Sequence, residues 1–159
     1  MPAPRTAIVL DDHPLVTSGI AQFLQAVHPE LQLACVHSGA QLLGELPDPA
    51  ILVADVWLAD ANSLTAMPAW RAAGLACPWL AISGDDDPQV QQRARSAGAQ
   101  GFVHKQCPPD QFRAAFDAVL QGGSWFAEAP QPAAPGAREW AVTPDELGLT
   151  RHTGLICCR

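Results

Sequence analysis

Three aspartates, a serine and a lysine each stand where a short apolar run stops. Asp11 and Asp12 follow the run 7–10, Asp55 follows 51–54, Ser83 follows 79–82, and Lys105 comes two residues after 101–103. Lys105 is the only lysine in 159 residues, the other eight basic residues being arginines. Acids brought together repel one another and raise each other's pKa unless a cation sits among them, and oxygen-only ligands favour a hard ion such as magnesium. Magnesium keeps several waters and bridges to phosphate oxygens, so such a site suits a phosphoryl group held between metal, hydroxyl and ammonium. A carboxylate fixed in that field can attack phosphorus to form an acyl phosphate, with the metal and Lys105 neutralising charge on the transferring oxygens.

These residues converge only if the apolar runs are neighbouring parallel strands. Runs of β type at 7–10, 31–36, 51–54, 79–82 and 101–103 alternate with segments of helical period, the pattern of a parallel sheet wrapped by helices. A helix opens at Pro14 and carries Val16, Ile20, Phe23, Leu24 and Val27 on one face; a short helix spans 40–46 before Pro47 and Pro49. Residues 58–73 read as a loop and then a helix closed by Gly74, with Pro68 obscuring where it starts. Asp87 and Pro88 cap and open a helix that runs to Gly98. The last helix opens near Pro108 and aligns Phe112, Ala115, Phe116, Val119 and Leu120. In an open parallel sheet, ligands bind beyond the carboxyl ends of the strands where the strand order reverses, which is where the five polar residues fall.

Four segments, Ile-Val-Leu-Asp-Asp-His-Pro-Leu-Val (8–16), Leu-Val-Ala-Asp (52–55), Ala-Ile-Ser-Gly (81–84) and Gly-Ala-Gln-Gly-Phe-Val-His-Lys (98–105), resemble the receiver domains of two-component response regulators. The resemblance covers residues 5–126 and implies a flavodoxin-like (βα)5 doubly wound α/β fold with strand order 2-1-3-4-5. It implies that Asp55 accepts a phosphoryl group from a sensor histidine kinase. Asp12, Asp55 and the backbone carbonyl of Trp57 would bind Mg2+, with Asp11 assisting through water. Ser83 and Lys105 would contact the phosphoryl oxygens, and Ser83 with the aromatic Phe102 would form the switch. Asp-Asp-His-Pro and Gly-Gly-Ser-Trp-Phe (122–126) are similar to the subgroup whose output is a LuxR-type helix-turn-helix. A non-enzymatic, cytoplasmic signalling module follows, with a homodimer as a further partner.

The chain departs from that pattern at several points. Ala59 and Ser63 stand where the family usually has proline and glycine, which predicts a looser loop after Asp55. Trp57 and Asp85 occupy positions that influence water at an acyl phosphate and predict an altered phosphoryl lifetime. Gln106 replaces a frequent proline after the lysine. A receiver fold acting as an interaction module without phosphorylation is the alternative reading. A phosphohydrolase is disfavoured because Trp57 stands where Asp-x-Asp would place a general acid, and nucleotide binding because no phosphate-cradling glycine motif follows the first strand.

Composition narrows the rest. A net charge of -7 offers no basic footprint for nucleic acid, so DNA binding is not expected from this chain, although a longer parent would bind DNA. No apolar run approaches the ~18–20 residues that cross a bilayer, and residues 1–5 lead into a short apolar run rather than a signal-peptide core. Five cysteines without CxxC spacing suggest neither a disulfide framework nor zinc. Pro130, Pro132 and Pro135 mark a semi-rigid linker over 127–142, 143–159 reads as a truncated or unrelated tail, and 142–150, across that boundary, faintly resembles a helix-turn-helix entry. His13 reads as a turn residue, His37 and His104 show no metal spacing, 85–87 reads as a solvated loop, Trp79 as core, and Trp125 and Trp140 as cover for a domain or dimer surface.

Overall fold

The computed structural model describes residues 4–44 and 48–128. Strands β1 (Thr6–Leu10), β2 (Gln32–Val36), β3 (Ile51–Asp55), β4 (Trp79–Ser83) and β5 (Gly101–His104) alternate with helices α1 (Pro14–Val27), α2 (Gly39–Gly44), α3 (Ser63–Ala72), α4 (Pro88–Ser96) and α5 (Pro109–Leu120). Every strand pairing in this sheet is parallel, in the order β2-β1-β3-β4-β5. This is the doubly wound order expected from the sequence, and the reversal falls between β1 and β3.

Alternation along the strands builds two cores. Ala7, Val9, Val53, Leu80 and Ile82 pack with Leu24 of α1 and Phe112 and Phe116 of α5. Ile8, Leu10, Leu52, Ala54 and Trp79 pack on the other face with Leu42 of α2, Met67 and Trp70 of α3, and Val90 of α4. Strands buried on both faces read as continuous apolar runs, which is why the sequence exposes them so clearly. Each large apolar side chain taken fully from water contributes ~1.5–3 kcal/mol, so the sheet is a rigid frame for what stands at its end.

Helix ends follow local chemistry. Asp87 accepts from Gln89 N–H at 2.9 Å ahead of Pro88, and Gly74 and Gly98 close α3 and α4 at φ +113° and +84°, conformations that disfavour side chains with a Cβ. The start of α3 is set by Asn62, whose side chain accepts from Leu64 N–H at 2.9 Å, while Pro68 is accommodated within the helix. The short second helix begins at Gly39, one residue before its expected start, and the end expected at 46 lies outside the described residues.

Beyond α5 the chain returns to the free edge of β5. Phe102 N–H donates to the Trp125 carbonyl at 2.8 Å and Trp125 N–H to that of Gln100 at 2.9 Å. The Gln91 amide brackets Ala127 at 2.9 and 3.0 Å, and Arg95 lies 4.3 Å over the Phe126 ring. Trp125 is therefore packed on its own sheet edge and against the α1–α5 core, covering an edge of its own domain. The chain divides after Ala127, and Trp140, the tail over 143–159 and the linker from 129 onward lie outside the described residues. Among the described residues no helix is long and apolar enough to cross a membrane.

Candidate functional site

β1, β3 and the turn after β5 deliver Asp11, Asp12, Asp55 and Lys105 to one point at the carboxyl edge of the sheet. Asp11 is fully buried and Asp55 is 2% exposed. Lys105 Nζ donates to Asp55 Oδ2 at 2.7 Å and lies 2.7 Å from Asp11 Oδ2. The lysine is aimed by its backbone, because its N–H donates to the Ser83 carbonyl at 2.8 Å and carries the β4–β5 ladder one residue past β5. Asp55 and Ser83, expected just after their strands, are the last residues of β3 and β4, paired with Ile82 and His104. Ladder hydrogen bonds run through the main chain and do not stop where side chains turn polar.

The segment after Asp55 is tied down, which corrects the expected looseness. Ser63 is fully buried, and its hydroxyl donates to the Asp55 carbonyl at 2.5 Å while its N–H donates to that of Val56 at 3.0 Å. Leu58 N–H closes the turn onto the Ala61 carbonyl at 2.9 Å. A serine in the position of the family's glycine thus anchors the first residue of α3 to the last residue of β3. Trp57 N–H donates to Asp55 Oδ1 at 3.3 Å, and the Trp57 side chain is 46% exposed beside it. Every peptide bond among the described residues is trans, Lys105–Gln106 included.

Burial pushes the Asp55 carboxyl above the usual carboxylate range, the neighbouring Lys105 ammonium opposes the shift, and the Asp11 charge reinforces it. Burial works against the Lys105 charge too, but the carboxylates of Asp11 and Asp55 outweigh it and raise the ammonium above its ordinary value. The lysine is thereby held charged between the two acids. Asp11 Oδ2 is met by the Lys105 ammonium at 2.7 Å and Asp12 Oδ1 by His13 Nδ1 at 3.0 Å, and one donor atom from each of Asp11, Asp12, His13 and Asp55 lies within 4.8 Å of the others. Three clustered carboxylates facing a single ammonium fit an oxygen-preferring divalent cation.

Ser83 is fully buried at the edge of the site, where its Oγ accepts from Asp85 N–H at 3.1 Å. Phe102 is half-buried against the core on the α2–α4 side. Residues 85–87 are exposed and cap α4, as expected. Two histidines carry more than the sequence reading assigned to them. His13 donates its N–H to Asp11 Oδ1 at 2.9 Å and places Nδ1 3.0 Å from the same oxygen and 3.0 Å from Asp12 Oδ1. His37 Nδ1 lies 3.1 Å from the Asp11 carbonyl, bracing the turn from the neighbouring strand end. The consecutive Asp-Asp-His was the available signal for the first; the second depends on the β1–β2 pairing, which one segment cannot reveal.

Residues 7–117 match the family model for the response regulator receiver domain. The chain is 34% identical over 124 residues to the transcriptional regulatory protein UhpA of Salmonella typhimurium, an alignment covering 76% of this chain and 61% of that one. Among solved structures, a response regulator receiver protein from Burkholderia phymatum superposes with a TM-score of 0.65 at 27% identity, covering 79% of this chain and 98% of that one. The isolated REC domain of RcsB from Salmonella enterica serovar Typhimurium, solved with the phosphomimetic BeF3-, superposes with a TM-score of 0.69 at 20% identity, covering 78% and 94%.

Proposed function

The chain belongs to the response regulator receiver family, and from that premise we propose that it is a phosphorylation-controlled signalling domain with Asp55 as phosphoacceptor. The carrying observation is Lys105, whose ammonium lies 2.7 Å from an oxygen of Asp55 and 2.7 Å from one of Asp11. An Asp55 oxygen forms a bond to phosphorus while the P–N bond of a sensor kinase phosphohistidine breaks, and the imidazole leaves with the electron pair and takes up a proton. Lys105 and Ser83 meet the phosphoryl oxygens. Asp11, Asp12, Asp55 and the Trp57 carbonyl would hold Mg2+, which supplies charge neutralisation on those oxygens. Phe102 and Ser83 then shift together and change a dimer or partner surface, a population shift between two states.

The looseness that favoured an interaction module independent of phosphorylation is replaced by the Ser63 tie, so phosphotransfer is the better-supported reading. Trp57, in place of a general acid two residues after Asp55, supports a signalling rather than an enzymatic role. UhpA carries the name of a transcriptional regulator, which supports transcription as the output and the cytoplasm as the location; DNA contact would belong to residues beyond 5–126, the proposed receiver. Backbone amide resonances recorded with Mg2+ and beryllium fluoride test the assignment. Shifts at Ser83, Phe102 and Lys105 that require Mg2+ and vanish in Asp55→Asn are expected; unchanged spectra, or the same shifts in the variant, would overturn it.

A further inference from the structure

The His13 ring is not needed for the turn it occupies, since its backbone N–H already makes the bond to Asp11 Oδ1 that shapes the chain there. The imidazole is nevertheless folded back over the acids. Its side chain is 66% exposed, yet Nδ1 stands 3.0 Å from one oxygen of Asp11 and 3.0 Å from one of Asp12. One ring nitrogen of His13 and one oxygen each of Asp11, Asp12 and Asp55 span no more than 4.8 Å, about twice a metal–ligand distance of ~2.1–2.4 Å. Three carboxylates crowd this point, and the single Lys105 ammonium is shared between Asp11 and Asp55, so the pocket keeps an excess of negative charge beside the ring.

We propose that His13 Nδ1 is a direct nitrogen ligand to the divalent cation of this pocket and biases the site toward transition-metal ions such as Mn2+ over Mg2+. The inference rests on the divalent-cation reading above and adds a ligand and a selectivity to it. Carboxylates alone suit magnesium, which gains little from a nitrogen donor, whereas imidazole strengthens binding of the later divalent ions. Carboxylate oxygens only accept, so the 3.0 Å contacts are Nδ1–H donations; in the other tautomer, with the proton on Nε2, Nδ1 offers its lone pair to a cation held between the ring and the acids. The neighbouring oxygens of Asp11 and Asp12 then close the same site, three consecutive residues supplying three donors.

The test uses the whole chain loaded with Mn2+ and read by pulsed electron paramagnetic resonance. A 14N coupling from a bound imidazole is expected, replaced by a 15N coupling when histidine is isotopically labelled and absent in His13→Ala. In competition titrations that variant should lose about tenfold in Mn2+ affinity while its Mg2+ affinity moves less than about twofold. Mn2+ that binds and is displaced by Mg2+ without nitrogen coupling overturns the His13 ligand and leaves the cation site standing. Equal losses for both ions in His13→Ala overturn it too, since the ring would then only hold the acids in place. Absence of binding by either ion overturns both readings.

Discussion

Lys105 Nζ reaches Asp55 Oδ2 at 2.7 Å across 50 residues of chain, and the same nitrogen stands 2.7 Å from Asp11 Oδ2. One ammonium therefore balances two buried carboxylates. Its removal strands both acids, so Lys105→Met should lower stability by roughly 3 kcal/mol without divalent cations, the cost of breaking a buried pair. Millimolar Mg2+ should restore much of that loss. Urea unfolding with and without Mg2+ checks both parts; a variant as stable as the parent in chelator would show that the lysine is not balancing the acids.

Ser63 supplies the tie between α3 and β3, through its hydroxyl on the Asp55 carbonyl. Ser63→Ala should cost about 1–2 kcal/mol, because the bond is buried. Ser63→Gly, which restores the family's usual residue, should cost more, since glycine also weakens the first turn of the helix. Denaturant midpoints of the two variants give the comparison, and a glycine variant more stable than the alanine one would contradict it.

These two relationships also mark how far the sequence could be read. The inner strands β1, β3 and β4 were legible because they are buried on both faces and show as apolar runs, and the polar residues stood out because they end those runs. Ser63 was legible only as a departure from a family pattern, since its partner is a main-chain carbonyl that has no sequence signature. The start of α3 was obscured by Pro68, which argues for a boundary but sits inside the helix, while the actual signal was the Asn62 cap. The place that Trp125 covers was not legible for a related reason, as pairing with Gly101 is set by main-chain geometry at the sheet edge.

Gly101 is where that edge pairing is tightest. A Cβ there would meet Leu80 Cδ1 at 2.8 Å, Val119 Cγ2 at 2.9 Å and the Trp125 carbonyl at 3.1 Å. Gly101→Ala should therefore destabilise the domain by about 1–3 kcal/mol and shift Trp125 fluorescence toward that of an exposed indole. An unchanged emission maximum would show that the edge strand absorbs the added methyl without parting.

Cys77 is buried, and its thiol is pushed from 9.0 up to about 11. A folded-state pKa above the unfolded one means that this thiol contributes stability in full below pH 9 and loses it as pH rises toward 11, on the order of 2 kcal/mol. Cys77→Ala should flatten the fall in stability over that window, whatever its absolute stability. Alkylation at pH 8 should also reach Cys77 more slowly than the half-buried Cys35 and Cys107; equal rates at the three thiols would contradict the burial argument.

The central claim is that Asp55 accepts a phosphoryl group in a cation-dependent site. Intact mass after incubation with a small phosphodonor and Mg2+ tests it most directly, with Asp55→Asn and an excess of chelator alongside. The account predicts a single phosphoryl adduct that is absent in the variant and absent in chelator. An adduct that persists in Asp55→Asn, or no adduct in the parent chain under conditions where Mg2+ binding is measured, would contradict it.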